Sequence, residues 1–113
     1  MQSTIITLLG AAGYMGRGIV RDLLSDLAIC SIDEIRLCDL EPHRLNDLIE
    51  EIGDPRLRSW PLDVRDGNAL RQALDGSLLC INSVPTMAGL QMAVFEAALD
   101  ARVDYMDLGG LGV

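Results

Sequence analysis

The sequence contains no lysine, so all nine of its basic side chains are arginines. The absence of lysine excludes a Walker-type phosphate-binding loop, because that loop needs a lysine to contact the phosphates of a nucleotide. Asp and Glu number 17, which gives a formal net charge of −8. An acidic domain of this kind repels nucleic acid and anionic membrane surfaces, so we expect neither as a partner.

Aromatic residues and long apolar runs are also scarce. One Trp, two Tyr and one Phe accompany a hydrophobic fraction of 50% and a charged fraction of 23%. This balance predicts one packed domain over residues 1–113, with an aliphatic core. No apolar run approaches the roughly 20 residues of a membrane helix, and the N-terminus lacks the basic start of a signal peptide. We therefore expect a cytoplasmic protein.

The three cysteines, Cys30, Cys38 and Cys80, have no CxxC spacing. An odd number of cysteines with apolar neighbours is typical of buried, reduced thiols in a cytosolic protein. His43 is the single histidine, and these scattered residues predict no metal site.

Short apolar runs alternate along the chain with segments of helical periodicity. The predicted strands are TIITLLG, EIRLCDL, LRSWPLDV, SLLCINSV and VDYMDLGG. The predicted helices run from Tyr14 to about Ala28, from Pro42 to Gly53, from the cap Asp66 to Gly76, and over 86–101. The apolar stripe expected on the first helix comprises Met15, Ile19, Leu23 and Leu27. This alternation predicts an α/β fold, a Rossmann-type doubly wound parallel sheet with strand order 3-2-1-4-5.

Three glycines, Gly10, Gly13 and Gly16, follow the first predicted strand and open the first helix in the spacing GxxGxxG. In the related GxGxxG loop the first glycine allows a sharp turn and the second lets a diphosphate approach the backbone. The third lets the helix pack closely on the sheet. The N–H groups of Tyr14, Met15 and Gly16 would then face the diphosphate at the positive end of the helix dipole. The simpler alternative is a steric turn between strand and helix.

An acidic residue ends the second predicted strand. Asp39 lies 23 residues after Gly16, close to the roughly 20 residues at which a carboxylate contacts the ribose of a dinucleotide. A helix cap or a solvated turn residue is the alternative role. Because a carboxylate repels a 2′-phosphate, we expect NAD as the cofactor, with NADP as the alternative.

Four stretches resemble the N-terminal NAD(P)-binding domain of the saccharopine dehydrogenase family: LLGAAGYMGRGIVRDL, LDVRDGNAL, CINSVP and VDYMDLGG. Their order and separation agree over essentially the whole chain. INSVP and DYMDLGG are the most specific, because generic Rossmann domains do not share them. The family includes saccharopine dehydrogenases, lysine 6-dehydrogenase and carboxynorspermidine dehydrogenase. The resemblance implies an oxidoreductase of amino-acid metabolism that interconverts an amine with an imine or carbonyl, while a nicotinamide accepts or donates hydride.

The resemblance also implies the cofactor contacts, which all follow predicted strands at their carboxyl ends, where such sheets bind ligands. The diphosphate is expected at Gly10, Gly13, Tyr14, Met15 and Gly16, and the adenosine ribose at Asp39 and Leu40. The adenine is expected at Asp63 and Val64, and the nicotinamide half at Asn82, Ser83, Val84 and Pro85. For Asp63, a turn carboxylate is the alternative. Tyr105 and Asp107 alternate on the fifth strand and share a face near the nicotinamide, but no catalytic residue is assigned.

The chain stops just after the fifth predicted strand, whereas a doubly wound dinucleotide domain normally continues. We therefore expect a truncated domain, inactive alone, whose small-molecule substrate is bound mainly by a missing substrate domain. A homodimer through the truncated sheet edge stays open. Two other functions also stay open. One is an extended short-chain dehydrogenase or epimerase, which shares GxxGxxG and an Asp after the third strand. The other is a non-catalytic NAD(P)-sensing domain.

Overall fold

The computed structural model describes residues 3–25, 31–84 and 90–107. Within them the strands are Ile5–Leu9 (β1), Glu34–Asp39 (β2), Leu57–Pro61 (β3), Leu79–Asn82 (β4) and Asp104–Asp107 (β5). The helices are Tyr14–Ser25 (α1), Pro42–Ile52 (α2), Gly67–Leu74 (α3) and Gln91–Ala101 (α4). The alternation of strand and helix is the one that the sequence predicts.

The strands form one parallel sheet in the order β3-β2-β1-β4-β5. The predicted strand order is therefore confirmed. Leu9, the last residue of β1, pairs with Cys38 on one side and with Asn82 on the other. The chain leaves β1 and β4 towards opposite sides of the sheet, and ligands of such sheets bind at the carboxyl ends beside this reversal.

Two apolar clusters cover the two faces of the sheet. On one face Ile6 and Leu8 of β1 pack with Val20 of α1 and with Leu45 and Leu48 of α2. On the other face the cluster joins residues of the sheet with α3 and α4: Leu9, Cys38, Cys80, Leu70, Ala73, Leu74, Val94, Ala97 and Ala98. The fold therefore has three layers, with two helices on each side of the sheet.

Cys38 and Cys80 are buried free thiols in the second of these clusters, as predicted, and Cys30 lies outside the described residues. Burial raises the pKa of Cys80 to about 12 and that of Cys38 further still. Both thiols are therefore protonated and unreactive at neutral pH. In the described part of the chain, no three His, Cys, Asp or Glu side chains lie together so as to hold a metal ion.

Three of the predicted helix signals are confirmed. Pro42 begins α2, and Gly53 ends it with a φ of +73°. The side chain of Asp66 caps α3 by accepting hydrogen bonds from the N–H groups of Asn68 and Ala69, at 3.1 and 3.2 Å. These local patterns succeed because caps and breakers act within one helical turn.

The predicted apolar stripe of α1 is confirmed at Ile19 and Leu23, which pack against the core, and is wrong at Met15, while Leu27 lies outside the described residues. Gly16 and Val20 are the buried residues of α1, whereas Met15 is 55% exposed. The helix approaches the sheet through the glycine, which rotates the buried face away from Met15. The start of α4 also differs, because the described helix begins at Gln91, and residues 86–89 of the predicted segment lie outside the described ranges.

The described helices are all too short or too polar to cross a membrane.

Candidate functional site

The loop between β1 and α1 crosses the end of β2. The N–H groups of Gly10 and Ala11 both donate to the Cys38 carbonyl oxygen, at 2.8 and 3.0 Å. Gly10 has a φ of +77°, a left-handed conformation that glycine adopts without strain. The Gly13 N–H then donates to the Gly10 carbonyl at 3.1 Å. The loop therefore turns sharply and places the start of α1 at the carboxyl ends of the strands.

The three glycines meet three different surroundings. A Cβ at Gly10 would lie 2.9 Å from the Ser83 Oγ, so this residue lets the loop pack against the segment after β4. A Cβ at Gly16 would overlap the Gly10 carbonyl oxygen and lie 2.8 Å from the Cα of Ala11, so α1 can only pack here through a glycine. A Cβ at Gly13 would meet just the Gly10 carbonyl oxygen, at 3.3 Å, and is otherwise open. Gly13 is thus the position at which a ligand can approach the backbone.

The first backbone N–H groups of α1 follow this loop directly. Arg17 is the first residue whose N–H donates back into the helix, to the Gly13 carbonyl at 3.0 Å. In an α-helix the preceding N–H groups have no partner within the helix, so those of Tyr14, Met15 and Gly16 are available to an anion. The aligned dipoles of the 12-residue helix add a partial positive charge at this end.

Asp39 ends β2 beside the glycine loop. Its Oδ2 accepts a hydrogen bond from the Ala12 N–H at 3.0 Å, and its Oδ1 accepts one from the Leu40 N–H at 2.8 Å. The carboxylate is half-buried and fixed in place by the backbone on both sides. Each oxygen keeps a further lone pair that a hydroxyl group can donate to.

One cleft of about 700 Å³ lies over the carboxyl ends of the strands. The residues predicted from the sequence that line it are Gly10, Gly13, Tyr14, Met15, Asp39, Leu40, Asp63, Val64, Ser83 and Val84. Gly16 and Asn82 are buried behind this lining, and Pro85 lies outside the described residues. The volume falls within the range of about 300–1,000 Å³ that is usual for ligand sites.

Four further residues line the cleft without having been selected from the sequence: Cys38, Leu62, Arg65 and Leu90. Leu62 follows β3 and donates its N–H to the Asp39 carbonyl at 3.0 Å. Leu62 and Cys38 read as ordinary core residues in the sequence, and no motif marks Leu90. Arg65 could have been found, because it stands two residues after an aspartate at the end of a strand.

Asp63 and Arg65 form an ion pair at the rim of the cleft. The guanidinium donates from Nη2 to the Asp63 Oδ2 at 2.6 Å and from Nε to Oδ1 at 3.0 Å. These hydrogen bonds hold the pKa of Asp63 at about 2, below its ordinary 3.8. Asp63 is therefore a carboxylate at every physiological pH, and its pair keeps the guanidinium of Arg65 on the cleft wall.

The segment after β4 is tied to the glycine loop. Ser83 donates its N–H and its Oγ–H to the Leu9 carbonyl, at 3.0 and 2.6 Å. The preceding Asn82 is 3% exposed. Its Oδ1 accepts a hydrogen bond from the Val84 N–H at 3.0 Å, and its Nδ2 donates to the Tyr105 hydroxyl at 3.1 Å. Asn82 therefore braces the wall of the cleft from behind.

Tyr105 and Asp107 share one face of β5, as predicted, and are in contact. The Tyr105 hydroxyl donates to the Asp107 Oδ2 at 2.8 Å. The same oxygen accepts a hydrogen bond from the Gln91 Nε2 at 2.5 Å. Partial burial raises the pKa of Tyr105 to about 12; the hydrogen bond from Asn82 opposes this rise and the Asp107 carboxylate adds to it.

Residues 6–111 match the family described as the saccharopine dehydrogenase NADP-binding domain. The chain belongs to this family. The family predicted from INSVP and DYMDLGG is therefore confirmed, and with it an NAD(P)-binding domain of an oxidoreductase family. Curated proteins give no significant sequence match.

Solved structures share the fold. Saccharopine dehydrogenase (L-Glu forming) from Saccharomyces cerevisiae has a TM-score of 0.75 and 20% identity, over 93% of this chain and 21% of its own. A short-chain dehydrogenase/reductase from Veillonella parvula in complex with NADP has a TM-score of 0.70 and 17% identity, over 92% and 46%. A dTDP-glucose 4,6-dehydratase from Streptomyces venezuelae with NAD bound has a TM-score of 0.71 and 24% identity, over 88% and 37%. In each case this chain spans less than half of the solved chain.

Proposed function

We propose that this saccharopine dehydrogenase family domain binds NAD in the cleft over β1, β2, β3 and β4, as the cofactor domain of an oxidoreductase. The observation that carries the proposal is the convergence of the free N–H groups at the start of α1 and the Asp39 carboxylate on one cleft of about 700 Å³. An anionic diphosphate and a ribose diol need these two kinds of partner, placed side by side.

The diphosphate is assigned to the glycine loop. The N–H groups of Tyr14, Met15 and Gly16 bind its oxygens, and Gly13 supplies the open backbone that lets them approach. Gly10 and Gly16 contribute through the shape of the loop. The positive end of the α1 dipole favours the negative charge by roughly 0.3–1 kcal/mol, and by more where the site is partly buried.

The adenosine half is assigned to the ends of β2 and β3. The Asp39 carboxylate accepts hydrogen bonds from the ribose hydroxyls, and the exposed side chain of Leu40 offers an apolar wall. Val64 and the Asp63–Arg65 pair border the adenine on the other side. The nicotinamide half is assigned to Ser83 and Val84, with Asn82 behind them, and to Pro85, which lies outside the described residues.

NAD is proposed over NADP because of the charge of Asp39. A 2′-phosphate on the ribose would stand next to this carboxylate, and two negative charges about 4 Å apart repel by several kcal/mol near a protein surface. Arg44 is the nearest basic side chain of α2, and its Nη2 already donates to the Ala12 carbonyl oxygen at 2.8 Å. Among the described residues that line the cleft, Arg65 is the one with a basic side chain, and it is paired with Asp63. The described lining therefore offers no unpaired cation to a 2′-phosphate.

The reaction proposed for the whole protein is an oxidation or reduction at a CH–NH bond of an amino acid or amine, which follows from the family. A bound nicotinamide supplies the hydride acceptor or donor for such a reaction. The residues of this chain bind and orient the dinucleotide, and the substrate is bound mainly by other parts of the protein. We expect no turnover from these 113 residues alone, and a cytoplasmic location without nucleic acid or membrane partners. Homodimer formation is a further open proposal.

The experiment is a fluorescence titration of the 113-residue chain with NADH. Gly13→Val should weaken binding roughly tenfold or more, because the added side chain occupies the path of the diphosphate. Gly18→Val is the matched control, because Gly18 is exposed on the same helix and a Cβ there has no neighbour within 4 Å. Equal NADH affinity in the wild type and Gly13→Val, with both chains folded by circular dichroism, would contradict the proposed diphosphate site.

A further inference from the structure

Five residues at the end of the sheet form a continuous polar chain: Val84, Asn82, Tyr105, Asp107 and Gln91. It runs from the Val84 N–H to the Asn82 Oδ1, 3.0 Å, and from the Asn82 Nδ2 to the Tyr105 hydroxyl, 3.1 Å. It continues from that hydroxyl to the Asp107 Oδ2, 2.8 Å, which also accepts from the Gln91 Nε2 at 2.5 Å. The polar chain therefore joins the wall of the cleft to β5 and to the first turn of α4.

The Asp107 carboxylate determines which group donates and which accepts in every hydrogen bond of the polar chain. A carboxylate has only acceptor oxygens, so the Tyr105 hydroxyl must donate its one proton to it. The same hydroxyl can then only accept from Asn82, which turns the Nδ2 of the amide towards β5. Its Oδ1 is thereby directed at the Val84 N–H. Asp107 thus sets the orientation of an amide two side chains away.

The Tyr105 ring is itself held in place. Its centroid lies 5.4 Å from that of Phe95 on α4, in an edge-to-face arrangement at 73°. Such pairs prefer this geometry. The hydroxyl is consequently delivered to one point between Asn82 and Asp107, and the buried amide has no other side chain partner in the described residues.

The segment that Asn82 braces is the wall of the cleft beside the glycine loop, where Ser83 and Val84 lie against Gly10. Ser83 and Val84 both line the cleft, whereas Asn82 and Tyr105 do not. Ser83 is tied to β1 through the Leu9 carbonyl oxygen, and Val84 is tied to β5 through the polar chain. A change at Tyr105 therefore reaches the cleft through the position of this wall.

We infer that Tyr105 is a positioning residue for the cofactor: its hydroxyl, oriented by Asp107, holds the Asn82 amide so that Ser83 and Val84 form the wall against which the nicotinamide half lies. The inference rests on the function proposed above. It predicts that loss of the hydroxyl affects the nicotinamide half of the cofactor and leaves the adenosine half unchanged.

The test compares two ligands on Tyr105→Phe in the whole chain. NADH carries both halves of the cofactor, and ADP-ribose lacks the nicotinamide. We expect NADH to bind about three- to tenfold more weakly, as the loss of one hydrogen bond to a buried amide implies, and ADP-ribose to bind within about twofold of the wild type. Asp104→Asn, an exposed change on the same strand, is the control and should alter neither affinity.

A positioning role predicts that Tyr105→Phe lowers the affinity for NADH relative to that for ADP-ribose. A merely structural role predicts that both affinities change by the same factor. Equal losses for both ligands, or no loss for either, would overturn the inference. If Tyr105→Phe does not fold, Asp107→Ala removes the acceptor that orients the same hydroxyl, and an unchanged ratio of the two affinities there would overturn the inference as well. A wild-type chain that binds neither ligand would contradict the proposed function itself. A wild-type chain that binds both equally well would overturn the inference alone, because the nicotinamide would then have no wall to contact.

Discussion

The carboxylate of Asp39 accepts a hydrogen bond from the backbone N–H of Ala12, with 3.0 Å between Oδ2 and the nitrogen. This contact spans the gap between β2 and the glycine loop, and the Leu40 N–H holds the other oxygen at 2.8 Å. The negative charge is thereby fixed on the wall of the cleft. One side chain therefore supports the loop, and under the proposed function the same carboxylate selects the cofactor.

Asp39→Ser should raise the affinity for NADPH relative to NADH by roughly 100-fold or more, because it removes a repulsion of several kcal/mol between the carboxylate and a 2′-phosphate. The free energy of unfolding should also fall, by about 1–2 kcal/mol, because the Ala12 N–H loses its partner. Fluorescence titrations with the two dinucleotides and urea unfolding measure the two effects. Asp33→Ser is the matched control: Asp33 accepts a hydrogen bond from the Thr4 N–H at 2.7 Å, at the other end of the sheet. If the ratio of NADPH affinity to NADH affinity is the same in Asp39→Ser as in the wild type, a group other than Asp39 selects the cofactor.

Gly16→Ala should destabilise the fold by about 3 kcal/mol, because the new Cβ would overlap backbone atoms of the loop that cannot move aside. Gly18→Ala, two residues further along the same helix, should instead stabilise it by about 0.5–1 kcal/mol. Gly18 is exposed, and its Cβ would meet no atom within 4 Å. Thermal unfolding followed by circular dichroism compares the two. Changes of the same sign would contradict the close approach of α1 to the loop.

Much of the fold could be predicted from the sequence, because its signals are local. Pro42 and Gly53 bound α2, Asp66 caps α3, and the apolar runs give the strands their places in a parallel sheet. Pro61 has no N–H to donate to a neighbouring strand, so it indicates an edge strand or an end of pairing, and it is the last residue of β3, at the edge of the sheet.

The contacts behind the site could not be predicted, because they join residues that are far apart in the chain. Nothing local shows that Asn82 is buried against Tyr105, 23 residues later, or that Gln91 reaches Asp107. The buried stripe of α1 was also wrong at Met15, because the rotation of the helix depends on how closely Gly16 meets the loop. The spacing of apolar residues shows how wide the buried face of a helix is. Contacts with the rest of the fold determine which residues lie at the centre of that face.

Arg36→Met should lower the free energy of unfolding by about 2–3 kcal/mol, since hydrogen bonds from a charged group to two backbone carbonyls, one of them on the buried Ala73, are lost. The Arg36 Nη1 donates to the carbonyl oxygens of Ala73 and Asp75 at the end of α3, at 2.8 and 2.6 Å. Its guanidinium also lies 4.7 Å from the ring centroid of Trp60. Arg58→Met, on the exposed side of the edge strand, should change stability by no more than about 0.5 kcal/mol. Trp60, the single tryptophan, reports urea unfolding of both variants, and equal effects would contradict a special role for Arg36.

Tyr105 should remain protonated far above the usual range of a tyrosine. Burial is the main cause of the rise in its pKa from 10.0 to about 12, and the Asp107 carboxylate adds to it. Because the folded state holds this proton more tightly than the unfolded chain, the stabilisation is complete below about pH 10 and is lost between about pH 10 and 12. In Tyr14→Phe, Tyr105 is the one remaining tyrosine, so phenolate absorbance should rise with a midpoint near pH 12 in the folded chain and near pH 10 in urea. A midpoint near pH 10 in a chain that circular dichroism shows to be folded would mean that water solvates the hydroxyl. The polar chain from Asp107 to Val84 would then be broken at its centre.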